Sequence, residues 1–149
     1  MYLIHPRMFM SGDWGSLSKK PKKEITTDDH YTPDWCMKMF QGWHDPCPAR
    51  SDIDGLSYDW CKHDKQIYVN PPYSNPMPWV EKAIKQSQLY EDAIIVMLLK
   101  HDSSTRWFAK LQEAGARFWM LQGRMSFNGP NQIKKGAVAP FPSILAVLS

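Results

Sequence analysis

Two apolar periodicities organise this chain. Between residues 77 and 89, Trp79, Val80, Ala83, Ile84 and Ser87 share one helical face, the spacing of an amphipathic helix laid on a core. Ser103 to Ala114 repeats the pattern, with Trp107, Phe108 and Leu111 inward and Gly115 as the stop. "YTPDWCMKMFQG", residues 31–42, predicts another helix: Thr32 can cap it, Pro33 suits its first turn and Gly42 its end. Ile67 to Val69 reads as a short strand, and the aliphatic run Ala93 to Leu99 as a strand buried on both faces. "RFWMLQ" and, after a Gly/Pro-rich stretch, "SILAVL" predict two more strands. Residues 43–66 hold Pro46, Pro48, Gly55 and scattered Asp, so they predict loop with a short strand leading into Asp45. The alternation of strand and helix implies an α/β domain. The last two strands lack a helical connector, so they are expected to form an antiparallel pair on an otherwise parallel sheet. Trp79, Trp107 and Trp119 fall on core-facing positions, and Trp35 is expected in the core rather than on a stacking surface.

Composition narrows the class. The 149 residues are 43% hydrophobic and include seven Trp, which fits one globular domain and excludes a disordered chain. No apolar run approaches the ~20 residues of a spanning helix, and "MYLIHPRMFM" lacks the apolar stretch and cleavage site of a secretory signal. Cys36, Cys47 and Cys61 are an odd set without a framework, which predicts a reducing, cytoplasmic setting. Charge is uneven: residues 24–64 hold nine acidic and three basic residues, residues 93–149 seven basic and two acidic. Lys19-Lys20-Pro21-Lys22-Lys23 adds a basic cluster to an irregular arm over residues 1–27, ahead of a single domain over 28–149. A cationic ligand near the acidic part and a polyanion near the basic part would suit this asymmetry.

The chemistry gathers in "IYVNPPYSN", residues 67–75. Pro71 and Pro72 fix φ, remove two backbone donors and keep Asn70 extended, so a strand runs into a stiff loop. Open α/β sheets bind ligands at the carboxyl ends of their strands, where Asn70 stands and Asp45 is expected. The Asn70 amide and the Pro71 carbonyl can accept both protons of an exocyclic amino group, and Tyr73 can stack on a flat heterocycle. Methyl transfer to an aromatic amine needs this kind of positioning rather than a strong base.

Asn70-Pro71-Pro72-Tyr73 resembles the signature of amino-group methyltransferases that use S-adenosylmethionine. The surrounding order resembles the compact phage DNA N6-adenine methyltransferases of the Dam-like group. It runs through "YTPDW" at 31–35, "HDPCPA" at 44–49, "DGL" at 54–56, "VNPPYSNPMPWVEKAI", "AIIVMLLKHDSSTRWF", "GRMSF" at 123–127 and "PSILAVL" at 142–148. The resemblance covers residues 28–149. It implies a class I, Rossmann-like methyltransferase sheet, mostly parallel with an antiparallel strand near the carboxyl terminus. It also implies S-adenosylmethionine as cofactor and DNA as partner, with the adenine flipped into the pocket of Asn70, Pro71, Pro72 and Tyr73. Tyr31, Thr32, Pro33, Asp45 and Pro46 match cofactor-binding segments, with Asp54 or Asp52 as the carboxylate for the ribose.

The chain departs from the wider pattern in two ways. "DPCPAR" replaces a glycine-rich loop beside Asp45, and residues 46–69 are too few for two strand–helix units, so the middle of the cofactor domain is shortened. Sequence reading is left to short loops, the lysine arm, a second subunit or a homo-oligomer. Lys134 and Lys135 are either a solvated pair or a phosphate contact. His44, Cys47, Cys61 and His63 form an H-x2-C…C-x-H pattern with zinc-ligand types. They are read as isolated loop or packed residues, with no metal, because the resemblance explains His44 and Cys47 otherwise. A non-catalytic nucleic-acid-binding relic or partner subunit of the fold, and transfer to N4 of cytosine or to a protein glutamine amide, stand as alternatives.

Overall fold

The computed structural model describes residues 34–49, 51–123 and 141–149. Tyr31, Thr32, Pro33, the Lys19–Lys23 arm and Lys134–Lys135 lie outside the described residues. The elements are α1 (Asp34–Met39), a 3-10 turn (Trp60–Lys62), β1 (Gln66–Val69), α2 (Met77–Leu89), β2 (Ile94–Lys100), α3 (Arg106–Glu113), β3 (Arg117–Met120) and β4 (Ser143–Leu148). Gly42, at φ +82°, takes the left-handed backbone that closes α1.

Helix α2 starts where the sequence places it, because the proline-rich stretch before it cannot turn helical sooner. Helix α3 starts later than Ser103. Asp102 first holds a turn, accepting from the backbone N–H of Ser104 at 3.1 Å, and Thr105 Oγ1 donates to the Asp102 carbonyl at 2.8 Å. Thr105 then caps the helix, its Oγ1 accepting from the Phe108 N–H at 3.4 Å.

The strands form one mixed sheet in the order β1-β2-β4-β3. β1 and β2 are parallel, Gln66 opposite Ile94 and Val69 opposite Met97. β4 is antiparallel to both β2 and β3, so the expected antiparallel pair is present and β4 alone runs against its neighbours. The strand expected before Asp45 shrinks to a single parallel bridge between His44 and Ile67.

Alternation sends side chains to two faces. Ile67, Val69, Ile95, Met97, Leu99, Ile144 and Ala146 join Trp60, α2 (Val80, Ala83) and α3 (Trp107, Phe108, Leu111) in one cluster. Tyr68, Val96, Leu98 and Leu145 meet Cys36 and Phe40 in the other. Trp107 is buried, and Trp79 is half-buried with its ring stacked on Trp60 at 6.1 Å. Trp119 is not in the core: it is 55% exposed. In a strand only alternate residues point inward, and Phe118 takes that place, stacked on Phe108 at 4.6 Å. Trp35 is also exposed, because neighbouring Cys36 is the residue of α1 that turns inward.

Candidate functional site

Parallel pairing brings the two polar candidates to the same edge. His44 N–H donates to the Gln66 carbonyl and Tyr68 N–H to the His44 carbonyl, both at 2.9 Å. Asp45 therefore leaves the sheet beside the carboxyl end of β1, where Asn70 follows. Both are buried, at 8% and 7% exposure. Carboxylates and amides are rarely this buried without a structural or chemical task. Asp45 Oδ1 accepts from the Cys47 N–H at 2.9 Å, which orients the carboxylate.

The Asn70 loop is held from both sides. Pro71 is buried, and Pro72 and Tyr73 are half-buried. The Tyr73 ring meets Phe141 edge to face, centroids 4.8 Å apart. Phe141 reaches this edge because Lys100 pairs with Ser143, and His101 N–H donates to the Pro142 carbonyl at 2.8 Å. Lys100 Nζ lies 5.7 Å from the Phe141 centroid. The ends of β1 and β2 and the start of β4 thus converge on Tyr73.

On the Asp45 side, Gly55 is the fixed point. A Cβ there would lie 1.9 Å from the Pro46 carbonyl oxygen and 2.8 Å from the Trp79 ring. Only glycine lets the backbone at 55 touch both, and Trp60 Nε1 donates to the Gly55 carbonyl at 2.6 Å. This folds residues 51–59 back onto Pro46, so Asp54 comes next to the Asp45-Pro46 segment. Asp54 and Asp52 are both exposed. Asp54 Oδ1 accepts from the Leu56 N–H at 3.0 Å, which fixes its rotamer.

His44 Nε2 and the Tyr58 hydroxyl are 2.8 Å apart. Burial pushes the His44 pKa down, against the opposing pull of Asp45 and Asp64, so the ring is held neutral. Tyr58 is pushed up, by burial first and then by Asp45 and Cys47. Burial raises the Cys36 thiol to about 12 and Cys61 to about 11, so neither is a thiolate near neutral pH. Among the described residues no three or more His, Cys, Asp or Glu gather as a metal site.

Sequence reasoning missed Gln86, which is 3% exposed and accepts from the Cys61 N–H at 3.0 Å through Oε1. Its spacing of three from Ala83 and six from Val80 was the available signal. It also missed the His44–Tyr58 pair, which no local pattern announces.

Between Asp45 and β1, the described residues form only a single 3-10 turn, as a shortened middle requires. The donor set suits a cationic cofactor and an amine substrate: a buried carboxylate beside one strand, a buried amide on a stiff loop after the next.

A family model described as DNA N-6-adenine-methyltransferase (Dam) matches residues 49–148. Similar proteins include the DNA N-6-adenine-methyltransferase of Haemophilus phage HP1 (strain HP1c1), 49% identical over 53 residues, 36% of this chain and 29% of that protein. The DNA N-6-adenine-methyltransferase of Escherichia phage T1 is 32% identical over 82 residues, 54% of this chain and 34% of that protein. The matched segments span about a third of the length of these relatives. No solved structure matches the chain.

Proposed function

The chain belongs to the DNA N-6-adenine-methyltransferase (Dam) family, and on that premise we propose that it methylates the N6 amino group of adenine in DNA. The observation that carries this reading is the buried Asn70 at the carboxyl end of β1, one strand position from the buried Asp45. A reversed β4 inserted between β2 and β3 supports the class I form of the sheet.

The residues present fit S-adenosylmethionine, whose ammonium and sulfonium outweigh its carboxylate. Asp45 would face the cationic part, Pro46 would line it, and Asp54 would hold the ribose. When bound, the cofactor supplies an electrophilic methyl group. The protein's task is to aim a nucleophile at it. A duplex hides the adenine amino group, so the base is flipped out of the stack. Tyr73 receives its face, and the Asn70 side-chain carbonyl and the Pro71 carbonyl each accept a hydrogen bond from one amino N–H, directing the nitrogen lone pair along one line. The prolines hold these acceptors before the base arrives, which lowers the reorganisation needed in the transition state.

The test is incubation of the full chain with radiolabelled S-adenosylmethionine and DNA, followed by chromatography of the nucleosides. N6-methyladenine is the expected product, and N4-methylcytosine would reassign the base. The shortened segment between Asp45 and β1 favours one competing reading, a nucleic-acid-binding relic. Calorimetry separates the two: a chain that binds no S-adenosylmethionine, alone or with DNA, is not the enzyme.

A further inference from the structure

Strand β3, four residues long, is an edge of the described sheet. Edge strands present unpaired N–H and C=O groups, which proteins shield with short strands, charged residues, prolines or bulges. Arg117-Phe118-Trp119-Met120 is short and carries one charge, Arg117, but no lysine or proline. Its apolar side chains are exposed on both faces: Trp119 by 55% and Met120 by 73%, one on each side of the sheet. Phe118 anchors the strand by stacking inward on Phe108. Arg117 is exposed, and its Nη2 donates to Ser149 Oγ at 2.7 Å.

We propose that β3 pairs antiparallel with β3 of a second copy of this chain, about a two-fold axis at Phe118. An axis perpendicular to the sheet keeps each face continuous, so the pairing must centre on a residue of the strand. Centring on Arg117 would oppose two guanidinium groups, and centring on Trp119 would set Arg117 against Leu121. Centring on Phe118 sets Arg117 of each copy opposite Trp119 of the other. These two residues share a face, opposite Val147 and Leu145 of β4. A guanidinium against an indole is a favourable cross-strand pair, and the symmetry makes it twice. A nucleic-acid strand is the competing occupant, since an exposed Trp can stack on a base. A stacking platform uses one face, however, and this edge is apolar on both.

The pairing does not depend on the methyltransferase reading. Because the strands run in opposite directions, the two carboxyl edges lie at opposite ends of the shared sheet, and both Asn70 loops stay open.

The experiment is sedimentation velocity on the full chain across micromolar concentrations, without DNA. The wild type is expected to pass from monomer to dimer as concentration rises. Trp119→Lys puts like charges across each pair and should weaken association about tenfold or more. The double variant Arg117→Glu/Trp119→Lys puts opposite charges across each pair and should restore the dimer. Thermal melting checks that each variant is folded. A wild type that stays monomeric throughout leaves the edge to DNA or to another part of the same chain and overturns the proposal. So does a dimer indifferent to Trp119→Lys, or a folded double variant that remains monomeric.

Discussion

Strands β1 and β2 lie side by side, point the same way and end at the same edge, yet the chain leaves them in opposite manners. After β2 the exit is open and satisfied locally. Asp102 accepts from Ser104 and pairs with Lys100 at 3.5 Å, and Thr105 caps the helix that follows. After β1 the exit stays buried. Asn70 is followed by two residues with no N–H to offer, and by a tyrosine wedged against Phe141. Local satisfaction is what a connector needs. Under the proposed function, a buried amide on a proline-stiffened backbone has its geometry set before a ligand comes.

The contrast can be broken most directly at Asn70. Asn70→Ala should lower methyl transfer by about 10²–10³ while calorimetric cofactor binding stays nearly unchanged, and a native rate would place the amino group elsewhere. Gly55→Ala tests the close contact on the Asp45 side. Its new methyl group meets the Pro46 carbonyl and the Trp79 ring, so denaturant unfolding should show a loss of about 3 kcal/mol. Tyr73→Ala should cost about 1–3 kcal/mol of stacking, divided between DNA affinity and turnover, while Tyr73→Phe keeps much of the activity.

At the second exit, Thr105→Ala should cost only about 0.5–1 kcal/mol of stability, the low end for a cap, because the bond it removes is long at 3.4 Å. Turnover per folded molecule should not change. The smallest effect concerns pH. His44 has its pKa lowered by burial, so the unfolded chain takes up a proton first. The stability it contributes is full above about pH 6.5 and declines as pH falls toward its folded value. A His44→Asn variant should show a shallower loss between pH 7 and 5 in melts run side by side. Equal slopes would show that other groups carry the effect.

Much of this was legible in the residues. The aliphatic run at 93–99 and the face of α2 are long, regular patterns, and regular patterns survive tertiary context. The stiff exit after β1 was legible because proline stiffness is a local property. Asp45 was legible as a candidate, although the strand behind it reduces to one bridge. Trp119 was misread because bulk and hydrophobicity say nothing about which strand ends a sheet. The start of α3 was misplaced because Asp102 and Thr105 compete for the same turn, and only the cap shows which one begins the helix. Gly55, Trp60 and Gln86 act through partners distant in sequence or in another element. No window along the chain could reveal that the glycine at 55 is needed by the carbonyl at 46 and the ring at 79.

The position of β4 also has a consequence for the order of assembly during synthesis. It follows β3 in the chain, yet it lies between β2 and β3 and pairs with both. The parallel pair β1–β2, with α2 crossing over it, can form early. β3 cannot join it, because its sheet partner has not yet been made. Until Ser143–Leu148 emerge, β2 carries an open apolar border, and β3 waits as a detached strand with Phe118 and Trp119 exposed. The nascent chain is therefore most vulnerable to aggregation between the synthesis of β3 and that of β4, and a chain cut short before residue 143 would stay in that state.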